Sequence, residues 1–201
     1  RAVLCLANAG ALALARRRFR ELGLDAREDS EAITLDGRLH KSEAYATRGA
    51  DRQAHLLAAA FRYDVAYRRA REAGASDAYY PGINVATLHL LAGEEARASA
   101  VALDIRDQLG PGLTDGTARG YWELATMIEA CVILGDFERA RQWIPLALAA
   151  GTQRPADLAT TARALGLGTR AGRNSPFLRA LERSRQFSLT RETGDGILAV
   201  R

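Results

Sequence analysis

At 201 residues, with 48% apolar and 26% charged side chains, the chain is long enough to bury a proper core as one large domain or a short array of repeats. Aromatics make up only 6%, Ala and Leu dominate, and Val, Thr and Ile are too sparse for a sheet protein of this size, so an all-α fold is expected. The net charge of +4 rests almost wholly on Arg interleaved with Asp and Glu, with Arg16, Arg17 and Arg18 as the one basic run, which counts against a nucleic-acid footprint; no apolar run reaches the ~18 residues a membrane span requires.

In chain order, residues 2–9 and 11–22 read as two helices broken at Gly10, followed by a polar, loop-like stretch over 24–30. Two longer helices then meet at Gly49. Ile33, Leu35, Leu39, Ala44 and Ala46 suit the first, although Gly37 weakens its beginning. Ala54, Leu57, Ala58, Phe61, Val65 and Ala66 suit the second, at spacings of three and four. Gly74 closes that helix, and residues 75–82 (ASDAYYPG) form a turn-bearing connection with Pro81 available to start the next helix.

The stretch from Tyr79 to Ala140 carries a short grammar twice: an apolar helical run, a Gly, four mostly polar residues, then an Ala that restarts the helical pattern. Gly93 with Ala98 and Gly135 with Ala140 are the clear copies, and Gly10 with Ala15 and Gly49 with Ala54 extend it to four. The intervals between the glycines are 39, 44 and 42 residues, longer and less even than an ideal tetratricopeptide repeat of about 34. In each copy the Gly permits a tight turn and the small Ala lets the second helix approach the first. The architecture predicted is a tetratricopeptide-like array (an α-solenoid) of four to five antiparallel helix hairpins.

After Ala150 the pattern loosens. One more helix is expected over about 156–165, then a Gly-rich loop, then a short amphipathic helix capped by Asn174 or Ser175. The alternating end, FSLTRETGDGILAV, is open to reading as a small β-hairpin or a frayed leftover. The helical domain is therefore placed at 1–185, with 186–201 as a tail or the start of a further domain. A chain opening on Arg1 rather than Met reads as a piece of something longer, with the cytoplasm as its default compartment. Cys5 and Cys131 both fall in apolar helical runs and are expected to be buried free thiols.

The segments DGRLHK (36–41), YYPGIN (79–84), TLHLLAG (87–93), YWELAT (121–126) and EACVILGDFERA (129–140) resemble, in order and spacing, the TRAF-binding central regulatory region of the apoptosis signal-regulating MAP kinase kinase kinases. The resemblance covers about 35–150. It implies an all-helical, tetratricopeptide-like scaffold with no catalytic activity of its own, and the Arg-rich composition reads as bacterial. His40 replaces the aromatic of the Gly-Arg motif, Pro81 replaces a Ser, and no kinase domain is present, so only the architecture and the scaffold role carry over.

No catalytic, metal or cofactor site is expected. His40, His55 and His89 are scattered over separate units without ligand spacing on one helix, and His89 falls where the repeat places a packing aromatic. GLGTRAG (166–172) follows a helix and lacks dinucleotide-loop spacing. TGDGILAV (193–200) resembles the Gly-Asp-Gly segment of class III nucleotide cyclases, but Asp195 has no strand-borne acidic partner. What remains is surface. In helical repeats the first helix of each unit commonly lines a concave binding face, which selects Tyr80, Ile83, Asn84 and Thr87, then Trp122, Thr126 and Glu129, as partner-binding residues. Asn84 would clamp a peptide backbone, and Tyr80 and Trp122 would anchor it or merely staple neighbouring helices. The function expected is a non-enzymatic protein-interaction or regulatory scaffold that binds a partner peptide or helix, or self-associates. The alternative is the regulatory part of a cyclase-like signalling enzyme whose chemistry lies outside this chain.

Overall fold

The computed structural model describes residues 1–117, 120–151, 189–190 and 199–200. Eight helices occupy the described body: α1 (Ala2–Asn8), α2 (Leu12–Glu21), α3 (Ser30–Ala46), α4 (Gly49–Glu72), α5 (Tyr79–Leu91), α6 (Glu95–Asp115), α7 (Tyr121–Ile133) and α8 (Phe137–Gly151). A single 3₁₀ turn, Leu24–Ala26, links α2 to α3. The fold is all-α and built from tetratricopeptide-like helix hairpins, as composition and spacing predict. Among the described residues the strands are a two-residue antiparallel ladder near the C-terminus, β1 (Leu189–Thr190) with β2 (Ala199–Val200), pairing Leu189 with Val200 and Thr190 with Ala199, within the stretch open to reading as a small β-hairpin. The helices expected over 156–165 and 176–187, and the loop 166–172, lie outside the described residues. The chain divides into two compact units, Arg1–Val101 and Ala102–Arg201, with the division falling inside α6.

Three of the four predicted turns share one geometry. At Gly93 (φ 81°) the Glu94 N–H donates to His89 O at 2.9 Å and the Gly93 N–H to Leu90 O at 3.1 Å. At Gly135 (φ 74°) Asp136 N–H donates to Cys131 O at 2.9 Å and Gly135 N–H to Val132 O at 3.2 Å. These are paired six-to-one and five-to-two bonds around a left-handed residue, a conformation that a Cβ disfavours. Gly10 closes α1 in the same way, and Ala15, Ala98 and Ala140, five residues after the three glycines, are buried.

The Gly49 copy is a different turn. α3 ends at Ala46, extended Thr47 caps it by donating from its N–H (3.0 Å) and its Oγ1 (2.8 Å) to Glu43 O, and Gly49 is the first residue of α4. Ala54, expected to pack against α3, is exposed. The hairpin forms there, but the small residue at the fifth position is not what brings its helices together.

Glycine performs that role within α3 and α5 instead. A Cβ on Gly37 would meet Tyr63 Cδ2 at 3.1 Å and Arg62 Cβ at 3.3 Å; one on Gly82 would meet Tyr67 Cε2 at 2.7 Å. Tyr63 and Tyr67, one turn apart on α4, are both buried, so α4 seats one ring on α3 and the next on α5. Elsewhere in the first unit, Val3, Ala15, Phe19 and Leu39 form a core with Leu6, Ala7, Leu24 and Leu35 against it. In the second unit α7 packs on α8, with Leu124, Met127 and Cys131 of α7 and Ala140 and Ala147 of α8 buried.

Cys131 is buried beside Met127, Sγ to Sδ 3.8 Å, and burial pushes its thiol up to about 11. Cys5, expected to be buried as well, is exposed: α1 is short, and Val3 is the residue it turns fully inward.

Two outcomes follow from this packing. Gly82→Ala is expected to lower unfolding free energy by about 1–3 kcal/mol in denaturant titrations, because the overpacking against Tyr67 outweighs the gain in helix propensity. With a disulfide reagent at about pH 8, one thiol per native chain is expected to react rapidly and the second only on unfolding, with Cys5→Ser abolishing the rapid phase.

Candidate functional site

α3 carries polar residues on two opposed faces. Asp36, His40 and Glu43 repeat at intervals of four and three and share one side of the helix; Arg38, Lys41 and Tyr45 repeat at three and four and lie roughly opposite. Asp29 starts the helix by accepting the Ala32 N–H at 3.1 Å on its Oδ1.

The first face meets α2 and α4. Arg16 of α2 is its hub: Nε donates to Glu43 Oε1 at 3.0 Å, Nη2 to Glu43 Oε2 at 2.7 Å, and Nη1 to Asp36. Arg62 of α4 pairs through Nε with Asp36 Oδ2 at 2.7 Å. His55 of α4 brings Nδ1 to 3.3 Å from Glu43 Oε2, and His40 brings its own Nδ1 to 3.3 Å from the same oxygen. The two imidazoles are themselves 3.3 Å apart, Nδ1 to Nδ1. Burial, reinforced by the Arg16 charge, holds His40 below the ordinary imidazole value, although Asp36 and Glu43 pull the other way. Burial alone would lower Arg16, but its hydrogen bonds to Glu43 and Asp36 raise it. The expectation that the histidines are scattered is therefore corrected for two of them. His40 and His55 stand on adjacent helices of one hairpin, and α3–α4 pairing brings them together. His89 sits apart, with Nδ1 at 2.6 Å from Glu94 Oε2; it is half-buried beside the Gly93 turn rather than filling the core.

The second face meets α5. Lys41 Nζ donates to Asn84 Oδ1 at 2.7 Å, and Asn84 Nδ2 donates to the Tyr80 carbonyl at 2.9 Å. Tyr45 and Tyr80 are exposed, at 53% and 38%. Burial raises the pKa of the Tyr63 hydroxyl, and the Arg38 charge opposes that rise.

Of the seven residues singled out for partner binding, Tyr80 is exposed and Asn84 is buried within the Lys41 network; Ile83 and Thr87 are buried within α5. The Thr87 Oγ1 is buried with no hydrogen-bond partner. α5 is buried from Pro81 to Leu88, as expected of a helix that is apolar nearly all round. In the second unit Thr126 is buried, Glu129 and Trp122 are half-buried, and Trp122 sets its ring edge-on to Tyr121, centroids 5.2 Å apart. The Asp36–His40–Glu43 set had a legible signal, an Asp-x3-His-x2-Glu helical spacing. Its partners Arg16, His55 and Arg62 are identified only by which helices pack together.

Residues 1–89 match the family model described as Tetratricopeptide Repeats-Sensor. The match takes in α1 to α4 and most of α5, and with them every residue of both polar faces. It supports a tetratricopeptide-like sensor or interaction domain over that segment. No curated protein matches the chain. Among the described residues no helix is long and apolar enough to cross a membrane.

Replacing Arg16 by Gln leaves Asp36 and Glu43 without their shared cation and is expected to cost about 1–3 kcal/mol of stability. Arg17→Gln, which removes an exposed pair with Glu21, is expected to stay within about 0.5 kcal/mol of wild type. Parallel urea titrations of the two variants measure the contrast.

Proposed function

We propose that the protein is a non-enzymatic, repeat-based sensor and interaction module that takes an acidic partner segment on the face shared by α3 and α5. The observation that carries this reading is the Lys41–Asn84–Tyr80 chain, flanked by the exposed rings of Tyr45 and Tyr80. Lys41 is held by a neutral amide, which positions the ammonium without neutralising it. A carboxylate arriving there gains a charge-assisted hydrogen bond. The two tyrosines supply flat, stiff apolar area beside it at low cost in side-chain entropy. Arg38, one turn before Lys41, extends the positive character of the face.

The match to a sensor family over 1–89 supports a recognition role for this segment, and the resemblance of 35–150 to the central region of the apoptosis signal-regulating kinases supports a scaffold attached to other domains. In this reading Tyr80 acts directly and Asn84 acts by holding Lys41, while Ile83 and Thr87 support them from within α5. Trp122, Thr126 and Glu129 belong to the second unit, where the half-buried Trp122 and Glu129 offer a separate contact surface.

Selection of displayed peptides on the full chain tests the proposal. Wild type is expected to enrich peptides rich in Asp and Glu, and the best of them to lose more than about tenfold in affinity, by fluorescence anisotropy, on Lys41→Glu or Tyr80→Ala. Equal enrichment by folded Lys41→Glu would sink it.

A further inference from the structure

We propose that His40, Glu43 and His55 form a binding site for one divalent transition-metal ion of the zinc class, tying α3 to α4 on the side away from the peptide face. The three atoms His40 Nδ1, His55 Nδ1 and Glu43 Oε2 form a triangle with every side 3.3 Å. Two ligands of a tetrahedral ion with bonds of about 2.0–2.1 Å stand about 3.3–3.4 Å apart. The triangle therefore has the spacing of one face of such a shell, built from imidazole nitrogen and carboxylate oxygen, both of which zinc accepts.

Hydrogen bonding accounts for this triangle incompletely. Neutral imidazoles bring at most one proton on each Nδ1, and each proton serves one side, so at least one of the three sides lacks a hydrogen. A metal ion satisfies all three lone pairs at once. The rings meet through their Nδ1 edges, with centroids 5.6 Å apart and planes inclined by 38°. The ion takes the place of the proton between them, and a modest turn of each ring aims both lone pairs at it.

The surroundings resemble the outer layer of a metal site. His40 presents its other nitrogen, Nε2, to Asp36 Oδ1 at 3.7 Å, and Glu43 is held by two hydrogen bonds from Arg16. A carboxylate behind the second nitrogen and a hydrogen-bonded ligating carboxylate are what orient first-layer ligands. The three side chains are 24%, 17% and 30% exposed in chain order, which leaves a path for the ion and room for water as the fourth ligand. Arg16 and Arg62 balance the charges of Glu43 and Asp36, so the ion enters a neutral cluster. Its affinity is accordingly lower than that of thiolate-rich structural sites.

The test is a calorimetric titration of the chelator-treated chain with zinc chloride, paralleled by cobalt(II) followed in the visible spectrum. One ion per chain is expected, with the absorption of a four-coordinate nitrogen–oxygen cobalt site. His40→Gln or His55→Gln is expected to weaken binding by more than about tenfold, and Asp36→Asn, which stands behind His40 and is not one of the three ligands, by less than either. In wild type, zinc is expected to shift the imidazole NMR signals of His40 and His55 and leave His89 unmoved, a readout that depends on no variant folding. Absence of binding, an unchanged affinity in a folded His40→Gln/His55→Gln double variant, or a shift confined to His89 would each overturn the assignment.

Discussion

The first unit depends on two aromatic-on-glycine contacts made by a single helix. Tyr63 and Tyr67 lie one turn apart on α4. Their rings fill notches left by Gly37 on α3 and Gly82 on α5, at distances where a Cβ would be tight at Gly37 and would collide at Gly82. Packing in protein interiors is close to crystalline, so a ring seated against a bare helix backbone fixes both the rotation and the height of its neighbour. With Gly37 turned to α4, Asp36, His40 and Glu43 fall toward Arg16 of α2 and His55 and Arg62 of α4, and Lys41 on the opposite side reaches Asn84 of α5. The two polar faces of α3 are consequences of that one seating.

This explains why the sequence conveyed the architecture better than the site. A turn is local: Gly93 and Gly135 announce themselves because a left-handed residue after an apolar run has few alternatives, and the hydrogen bonds that follow involve residues five apart at most. The same reasoning misjudged Gly49, where the five-residue spacing recurs but the helix already ends at Ala46, capped by an extended Thr47. Gly37 was a weak point when read as helix propensity and is a contact point when read as packing; propensity carries no information about what approaches from outside the helix. Cys5 shows the converse. An apolar run marks a helix as amphipathic or buried, but in a seven-residue helix it does not say which side is turned inward.

The polar cluster was hidden for a related reason. Asp36, His40 and Glu43 share a face by helical periodicity alone. Arg16, twenty residues before Asp36, and His55, twelve after Glu43, join them only once α2 and α4 are in place. Side chains that act together across helices leave no spacing rule in one sequence. The partner-facing set fared differently, since α5 is enclosed for most of its length. A rule that assigns outward faces by repeat register presumes an amphipathic first helix, whereas α5 is apolar on nearly every side.

Stability alone does not account for the Arg16–Asp36–His40–Glu43–His55–Arg62 cluster. Removing several charged groups from water costs about as much as their mutual attraction returns, and well-packed apolar side chains of similar volume commonly hold helices together as well or better. The neighbouring core shows that option in use, with Val3, Ala15, Phe19 and Leu39 joining α1, α2 and α3 without a single charge. Where two helices could be joined by such residues and are joined by two histidines and a carboxylate meeting at one point, the polar groups need a task that apolar ones cannot perform. Directional lone pairs converging on a shared centre are suited to holding an ion, and apolar side chains are not.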